Sequence, residues 1–227
     1  MRLKLFPWLG QEFVHLSMEG NGEGAVEEET QGLFAHLAQR LKPFGLTLDH
    51  TVRTRMWVKD METWTAGVHE RVRILKGPAR SVSSSHVWPD RLGPKARISV
   101  DLMAMFPPKD GSGKVFREYE PRTIVLRRMN WGGLLFLSGV TDMTHTTFDE
   151  QFPVIIQRLT DTLADGGGSW DRVQRASFFL HHEESLAHLR ASFAKAVNAR
   201  IPGLDYTFVG TRQGKRLEIE LTAKLAN

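Results

Sequence analysis

Residues 52–58 read Val52-Arg53-Thr54-Arg55-Met56-Trp57-Val58, and a shift of 121 positions gives Val173-Gln174-Arg175-Ala176-Ser177-Phe178-Phe179. Other features recur around this pair in the same order. Upstream, Phe34, Leu37, Leu41 and Gly45 return as Ile156, Leu159, Leu163 and Gly167. Each set is an apolar stripe at helical spacing, closed by a glycine suited to a helix C-terminus. Before it, Phe13-Val14-His15-Leu16-Ser17 matches Leu134-Leu135-Phe136-Leu137-Ser138. Near the ends, Ile98-Ser99-Val100-Asp101-Leu102 matches Leu217-Glu218-Ile219-Glu220-Leu221. Matches in one order imply a duplication, and the period is far too long for a solenoid.

Each half reads as β-β-α-β-α-β-β. Strands are expected near 2–7, 12–18, 51–59, 80–87 and 96–105, then near 115–128, 133–140, 172–180, 204–210 and 216–224. Helices are expected near 25–42 and 61–75, then near 147–165 and 183–198. In the terminal strands, Ile98, Val100 and Leu102 alternate with polar residues, as do Leu217, Ile219 and Leu221. Each sheet then has one apolar face for its two helices to cover. Pro107-Pro108-Lys109-Asp110-Gly111-Ser112-Gly113 punctuates the chain between the copies. The expected domains are 1–108 and 114–227, and the expected class is α+β.

Composition narrows the function. Hydrophobic residues make up 41% and charged residues 25%, values of a chain that folds around a core. Cysteine is absent, which excludes disulfides, thiolate metal sites and a cysteine nucleophile. The net charge of +4 is spread evenly, with 15 basic and 13 acidic residues through Asp110 and the same numbers after it. Nucleic-acid binders concentrate charge on one face, so no nucleic-acid partner is expected. The opening MRLKLFPWLG is broken by Gln11 and Glu12 before it forms a signal peptide, and no run reaches the ~20 apolar residues of a membrane span. A cytoplasmic protein with no membrane partner is expected.

Several segments resemble one known family. They are Gly45-Leu46-Thr47-Leu48-Asp49, the strand ending Val58-Lys59-Asp60-Met61, Pro78-Ala79-Arg80-Ser81 and the strand at 97–105. The second half adds Leu137-Ser138-Gly139, Gln151 ahead of an apolar helix, and Leu217-Glu218-Ile219-Glu220. Together they resemble two copies of the reactive-intermediate deaminase family, also called YjgF-like or endoribonuclease L-PSP-like. The resemblance implies a chorismate-mutase-like fold, a homo-oligomer, usually a trimer, and ligand sites in clefts between domains. It also implies hydrolysis of amino-acid-derived enamines and imines, a small carboxylated metabolite as substrate, and no cofactor.

Carried over residue by residue, the motif splits between the halves. The substrate-gripping arginine survives only as Arg80, and the water-positioning glutamate only as Glu218. The first half has Ser99 at the glutamate position and Asp101 two residues on. The second half has Pro202-Gly203-Leu204-Asp205-Tyr206 where the arginine segment belongs. Met18 replaces a usual glycine and Val140 a usual glutamine. A guanidinium presents a planar fork that meets a carboxylate bidentately. Hydrolysis needs a positioned water and a route for its proton. One composite site, with Arg80 as anchor and Glu218 as acid–base group, is therefore set beside independent decay of two sites. A surface or carboxylate-tied Arg80, and glutamates on a solvated sheet face, are the plain structural readings.

Other motifs carry less. His181-His182-Glu183-Glu184 fails the His-Glu-x-x-His pattern because Leu186 takes the second histidine position, and reads as a polar strand-to-helix junction with Glu183 and Glu184 favouring the helix start. Gly20-Asn21-Gly22-Glu23-Gly24 and Gly111-Ser112-Gly113-Lys114-Val115 lack nucleotide-binding spacing. Ser83-Ser84-Ser85 lacks a nucleophile elbow. Trp57, Trp64, Phe178, Phe179 and Phe193 read as core residues. Three functions stay open: a tandem deaminase-like hydrolase, a non-catalytic binding or assembly protein, and chorismatase-like chemistry on the same scaffold.

Overall fold

The computed structural model describes residues 1–210 and 214–226. Residues 211–213, and Asn227 at the end of the second expected domain, lie outside that description.

The first copy opens with a hairpin of β1 (Arg2–Trp8) and β2 (Gln11–Glu19). Its two-residue turn places both Leu9 and Gly10 at positive φ, the conformation that matches strand twist. Then follow α1 (Val26–Leu41), β3 (Thr51–Val58), α2 (Met61–Ile74), β4 (Val82–Val87) and β5 (Ile98–Met105). Asp60 caps α2 by accepting a hydrogen bond from the Thr63 N–H. The strands form one sheet in the order β1-β2-β5-β3-β4.

The second copy has β6 (Val115–Glu118), β7 (Leu126–Trp131), β8 (Leu134–Leu137), β9 (Val140–Thr141) and α3 (Phe148–Asp165). It ends with β10 (Val173–His181), α4 (Leu186–Ala196), β11 (Gly203–Val209) and β12 (Leu217–Lys224). Its sheet runs β11-β10-β12-β8-β7-β6, with β9 paired to β12. The architecture is α+β, two tandem sheet-plus-two-helix domains.

The register shows the duplication in detail and corrects the match of the central strands from a shift of 121 to one of 122, so that Trp57 answers to Phe179 rather than to Phe178. β3 pairs parallel with β4 and antiparallel with β5, and β10 does the same with β11 and β12. Both central strands carry an irregularity at the same place, between Thr51 and Arg53 and between Val173 and Arg175. Trp57 lies opposite Ser99, and Phe179 opposite Glu218. Ser99 therefore holds the first copy's glutamate position, and Asp101 matches Glu220. Arg53 pairs with Val82 and Arg175 with Gly203, which sets Ile201 at the place of Arg80.

Each sheet buries one face under its helices. Leu33, Phe34, Leu37 and Leu41 of α1 and Val68 of α2 pack on Val14, Leu16, Met56, Ile98 and Val100. In the second copy Ile155, Leu159 and Leu163 of α3 and Leu189 and Phe193 of α4 cover Phe178, Leu217, Ile219 and Leu221. A third cluster joins the copies: Phe13, Met103 and Met105 of one sheet meet Met129, Leu134 and Phe136 of the other. Burial of these apolar faces drives the two sheets together.

Four expectations need correction. The strand read at 115–128 is two strands, because Pro121 lacks a ladder N–H and residues 119–125 leave the sheet. Helix α4 starts at Leu186 rather than 183, where Ser185 accepts from the His188 N–H. Glu183 sits outside that helix and pairs with Arg216 at 2.9 Å. Of the aromatics read as core, Trp57 and Phe179 are buried, in a cluster with Val209 between the copies, but Trp64 is only half-buried. The glutamates of β12 are buried between the sheets, not solvated. No helix among the described residues is long and apolar enough to cross a membrane.

The turn before α3 depends on one carboxylate. Asp142 is fully buried. It accepts from the backbone N–H groups of Thr144 and His145, the Thr144 hydroxyl at 2.8 Å and His145 Nδ1 at 2.7 Å, and pairs with Arg158 at 3.1 Å. Burial pushes its pKa up, but the His145 and Thr144 hydrogen bonds prevail and hold it at about 2. A carboxyl depressed in the folded state adds stability above its ordinary pKa and loses it as pH falls through the depressed value. Asp142→Asn is expected to remove about 2 kcal/mol at neutral pH. Urea denaturation should show that deficit shrinking between about pH 4 and pH 2; a deficit constant across that range would refute it.

Candidate functional site

A cleft of about 450 Å³ opens between the two copies. Trp64, Val68 and Arg71 of α2 and Ser84 and Ser85 of β4 form one wall. Gly139, Thr141, Lys215 and Glu218 of the second copy form another, and residues 122–125 close a third side.

The joint behind it is made by backbone. The Gly139 N–H donates to the Ser83 carbonyl at 3.1 Å, and the Ser83 N–H donates to Ser138 Oγ at 3.0 Å. These bonds tie the outer edge of β4 to the Ser138-Gly139 segment. Gly139 also has a steric role, since a Cβ there would lie 1.6 Å from Glu218 Oε1. Only glycine leaves room for the carboxylate.

Glu218 is buried and is ion-paired and hydrogen-bonded to Lys215, while His86 Nδ1 stands 3.9 Å from it. Burial pushes the Glu218 carboxyl above its ordinary range, against the pull of Lys215. His86 stacks on Phe179 with ring centroids 3.9 Å apart. Burial first, and Lys215 second, push His86 far below its ordinary range, so it is neutral. Lys215 also reaches the Ser85 carbonyl of the other copy at 3.5 Å. Gln151 fixes the approach to β12: its Nε2 donates to the carbonyls of His145 and Gly214, and its Oε1 accepts from the Arg216 N–H.

Arg71 is the cation facing this acid from the first copy. It is only 2% exposed. Nη1 donates to the Ser84 carbonyl and to Ser85 Oγ, both at 3.0 Å, and Nη2 is a buried donor with no protein partner. Burial lowers its pKa to about 10, so it stays charged at neutral pH.

Arg80 is placed differently. Its Nε and Nη2 meet the two oxygens of Glu118 at 3.1 and 2.9 Å, and Nη1 donates to the Ile124 carbonyl at 3.1 Å. The chain's own carboxylate fills the fork. Arg80 thus sits behind the 118–125 segment, whose Ile124 lines the cleft with Glu218, and does not itself line it. The structure brings Glu218 together with Arg71 and Lys215. Arg71 carried a readable signal: with Trp64 and Val68 it sits on the inward stripe of α2, where an arginine is out of pattern. Lys215 had none. The histidines of 181–188 form no group of metal-ligand type with neighbouring carboxylates among the described residues.

No family model matches the sequence, and no curated protein matches it either. Solved structures do. A chorismatase structure superposes over 94% of this chain and 74% of its own, with a TM-score of 0.66 and 17% identity. At that identity the likeness is one of fold. A Rid-family protein of unknown function from Yersinia pestis matches 50% of this chain and 100% of its own, with a TM-score of 0.46 and 17% identity. A YjgF-family protein from Neisseria meningitidis matches 50% of this chain and 96% of its own, with a TM-score of 0.43 and 23% identity. In fold, this chain carries two tandem sheet-plus-two-helix copies laid out like the chorismatase structure.

Proposed function

We propose that the chain is a hydrolase for a small carboxylate-bearing enamine or imine, with one composite site in the cleft between its copies. The observation that carries this is Glu218 of the second copy lining the same cleft as Arg71 of the first. In this reading Arg71 takes the substrate carboxylate, and Arg80 holds the 118–125 segment in place through Glu118 and Ile124. Glu218, whose carboxyl burial pushes above its ordinary range, gives its proton to the nucleophilic carbon of an enamine, which becomes an iminium ion. The Glu218 carboxylate left beside Lys215 then draws a proton from water as the water adds to the C=N carbon. Glu218 returns that proton to nitrogen as the C–N bond breaks and recovers one from the hydroxyl as the carbonyl forms; ammonia leaves and an oxo acid remains. An imine, once protonated on nitrogen, enters at the second step. General acid–base help of this kind contributes about 10²–10⁴ in rate.

A second reading is favoured by the whole-chain likeness to a chorismatase. Hydrolysis of the vinyl ether of chorismate also begins by protonating an electron-rich alkene carbon, so the same acid would serve. The test is ammonia release from imines generated in situ from amino acids, run beside chorismate consumption. Ammonia release above the buffer rate supports the first reading. Chorismate loss without it supports the second, and neither reaction would overturn both.

Arg71→Lys keeps the charge but loses the planar fork, and is expected to raise KM roughly tenfold with a smaller change in kcat. Arg80→Lys should change KM less. Steady-state kinetics check this order; the reverse order would return the anchor to Arg80.

A further inference from the structure

Glu218, Glu220 and Thr222 alternate along the polar face of β12. Glu218 lines the cleft described above. Thr222 lines a separate cavity of about 240 Å³, which shares no residue with that cleft. Four cations border it: Lys4 from β1, Arg53 and Arg55 from β3, and Arg175 from β10. Phe6, Trp8 and Met103 supply an apolar wall.

The charges around this cavity do not balance. Glu220 takes both Arg53 at 2.9 Å and Arg55 at 2.7 Å. Asp205 takes Arg175. Asp101, the one carboxylate in the lining, accepts from Trp57 Nε1 at 2.7 Å and from Arg91 at 2.9 Å. Lys4 has no carboxylate partner among the described residues; its Nζ has only the Phe6 ring, at 5.7 Å. Five cationic side chains thus share three carboxylates. Arg55 uses Nε and Nη2 on Glu220 and Ser177, and Arg175 uses Nε on Asp205. Their remaining guanidinium nitrogens make no protein hydrogen bond among the described residues. Clustered cations beside a low-dielectric wall hold an anion more strongly than exposed ones do.

We propose that this cavity is a second ligand site, for a small dicarboxylate with a flat apolar body. The group carries a net charge of +2, which two carboxylates would neutralise. Guanidinium nitrogens and the Lys4 ammonium give charge-assisted hydrogen bonds. The Phe6, Trp8 and Met103 wall takes the ring or unsaturated chain between the carboxylates. This inference does not depend on the reaction proposed for the other cleft.

Calorimetric titration of the full chain with isophthalate tests it, with the uncharged isophthalamide as control. One equivalent of isophthalate should bind, and the diamide should not. Lys4→Gln, a change at an exposed position on an edge strand, should weaken binding about tenfold, the loss of one charged contact, with the thermal midpoint unchanged. Arg71→Gln, in the other cleft, should leave it unchanged. Equal binding of the diamide, loss in Arg71→Gln but not in Lys4→Gln, or no heat with millimolar isophthalate would each overturn the site.

Discussion

Glu218→Gln is expected to lower turnover about a hundredfold or more with little change in KM, because the amide keeps the shape of the side chain but cannot cycle a proton. The pH dependence follows from the same group. Burial raises the Glu218 pKa, so the protonated form persists above the usual carboxylate range and is lost as pH rises through the raised value. Wild-type turnover on enamines should therefore fall on the alkaline side of that pKa, and the residual activity of Glu218→Gln should lose this limb. The substitution also leaves buried Lys215 without its carboxylate. Lys215→Gln/Glu218→Gln removes that unpaired charge, so it should recover stability and stay inactive. If the double variant turned over like the wild type, Glu218 would be a structural partner of Lys215 and nothing more.

The duplication made the fold legible. Helical stripes such as Phe34, Leu37 and Leu41, and alternating strands such as 217–221, are local patterns that a chain writes directly in its sequence. The strand break at 119–125 was less visible, since Val115 to Arg128 holds enough apolar and β-forming residues to read as one run. The candidate site was half legible. Glu218 sits on a strand whose alternation fixes its face, and the structure gives it a cleft. The cation that faces Glu218 was harder to read. Arg80 stands in a recognisable segment, yet Glu118, distant in sequence, occupies its fork. Arg71 has no motif around it, and its one local signal is an arginine standing on the inward stripe of α2. Lys215 reaches Ser85 across the joint between copies, a contact that no local pattern encodes. What the sequence concealed is therefore the pairing of charges between the copies, which depends on how two polar sheet faces meet.

The largest stability effect is expected at that meeting. Arg53 donates to Glu220 and also to the Leu137 and Leu221 carbonyls and to Thr222 Oγ1, so one side chain of the first copy holds two strands of the second. Arg55 adds two bonds to the same Glu220 oxygen. Burial raises the Glu220 pKa, but Arg55 and Arg53 outweigh it and hold the carboxyl below its ordinary range. This contribution to stability is present above the ordinary carboxylate pKa and is lost as pH falls through the lowered one. Glu220→Ala leaves the buried Arg53 and half-buried Arg55 guanidinium groups facing each other, and is expected to cost about 3–5 kcal/mol in urea denaturation at neutral pH. A cost under about 1 kcal/mol would mean that water already screens the pair. Replacing all three groups together, as Arg53→Met/Arg55→Met/Glu220→Leu, removes the charges with their desolvation cost and should restore stability near the wild-type level. The bridge lies between Glu218 and Thr222 on β12, and so between the two cavities. If it sets how the sheets register, the triple variant should be stable yet slower on the substrate of the wild-type chain. Stability and turnover recovered together would assign the bridge to folding alone.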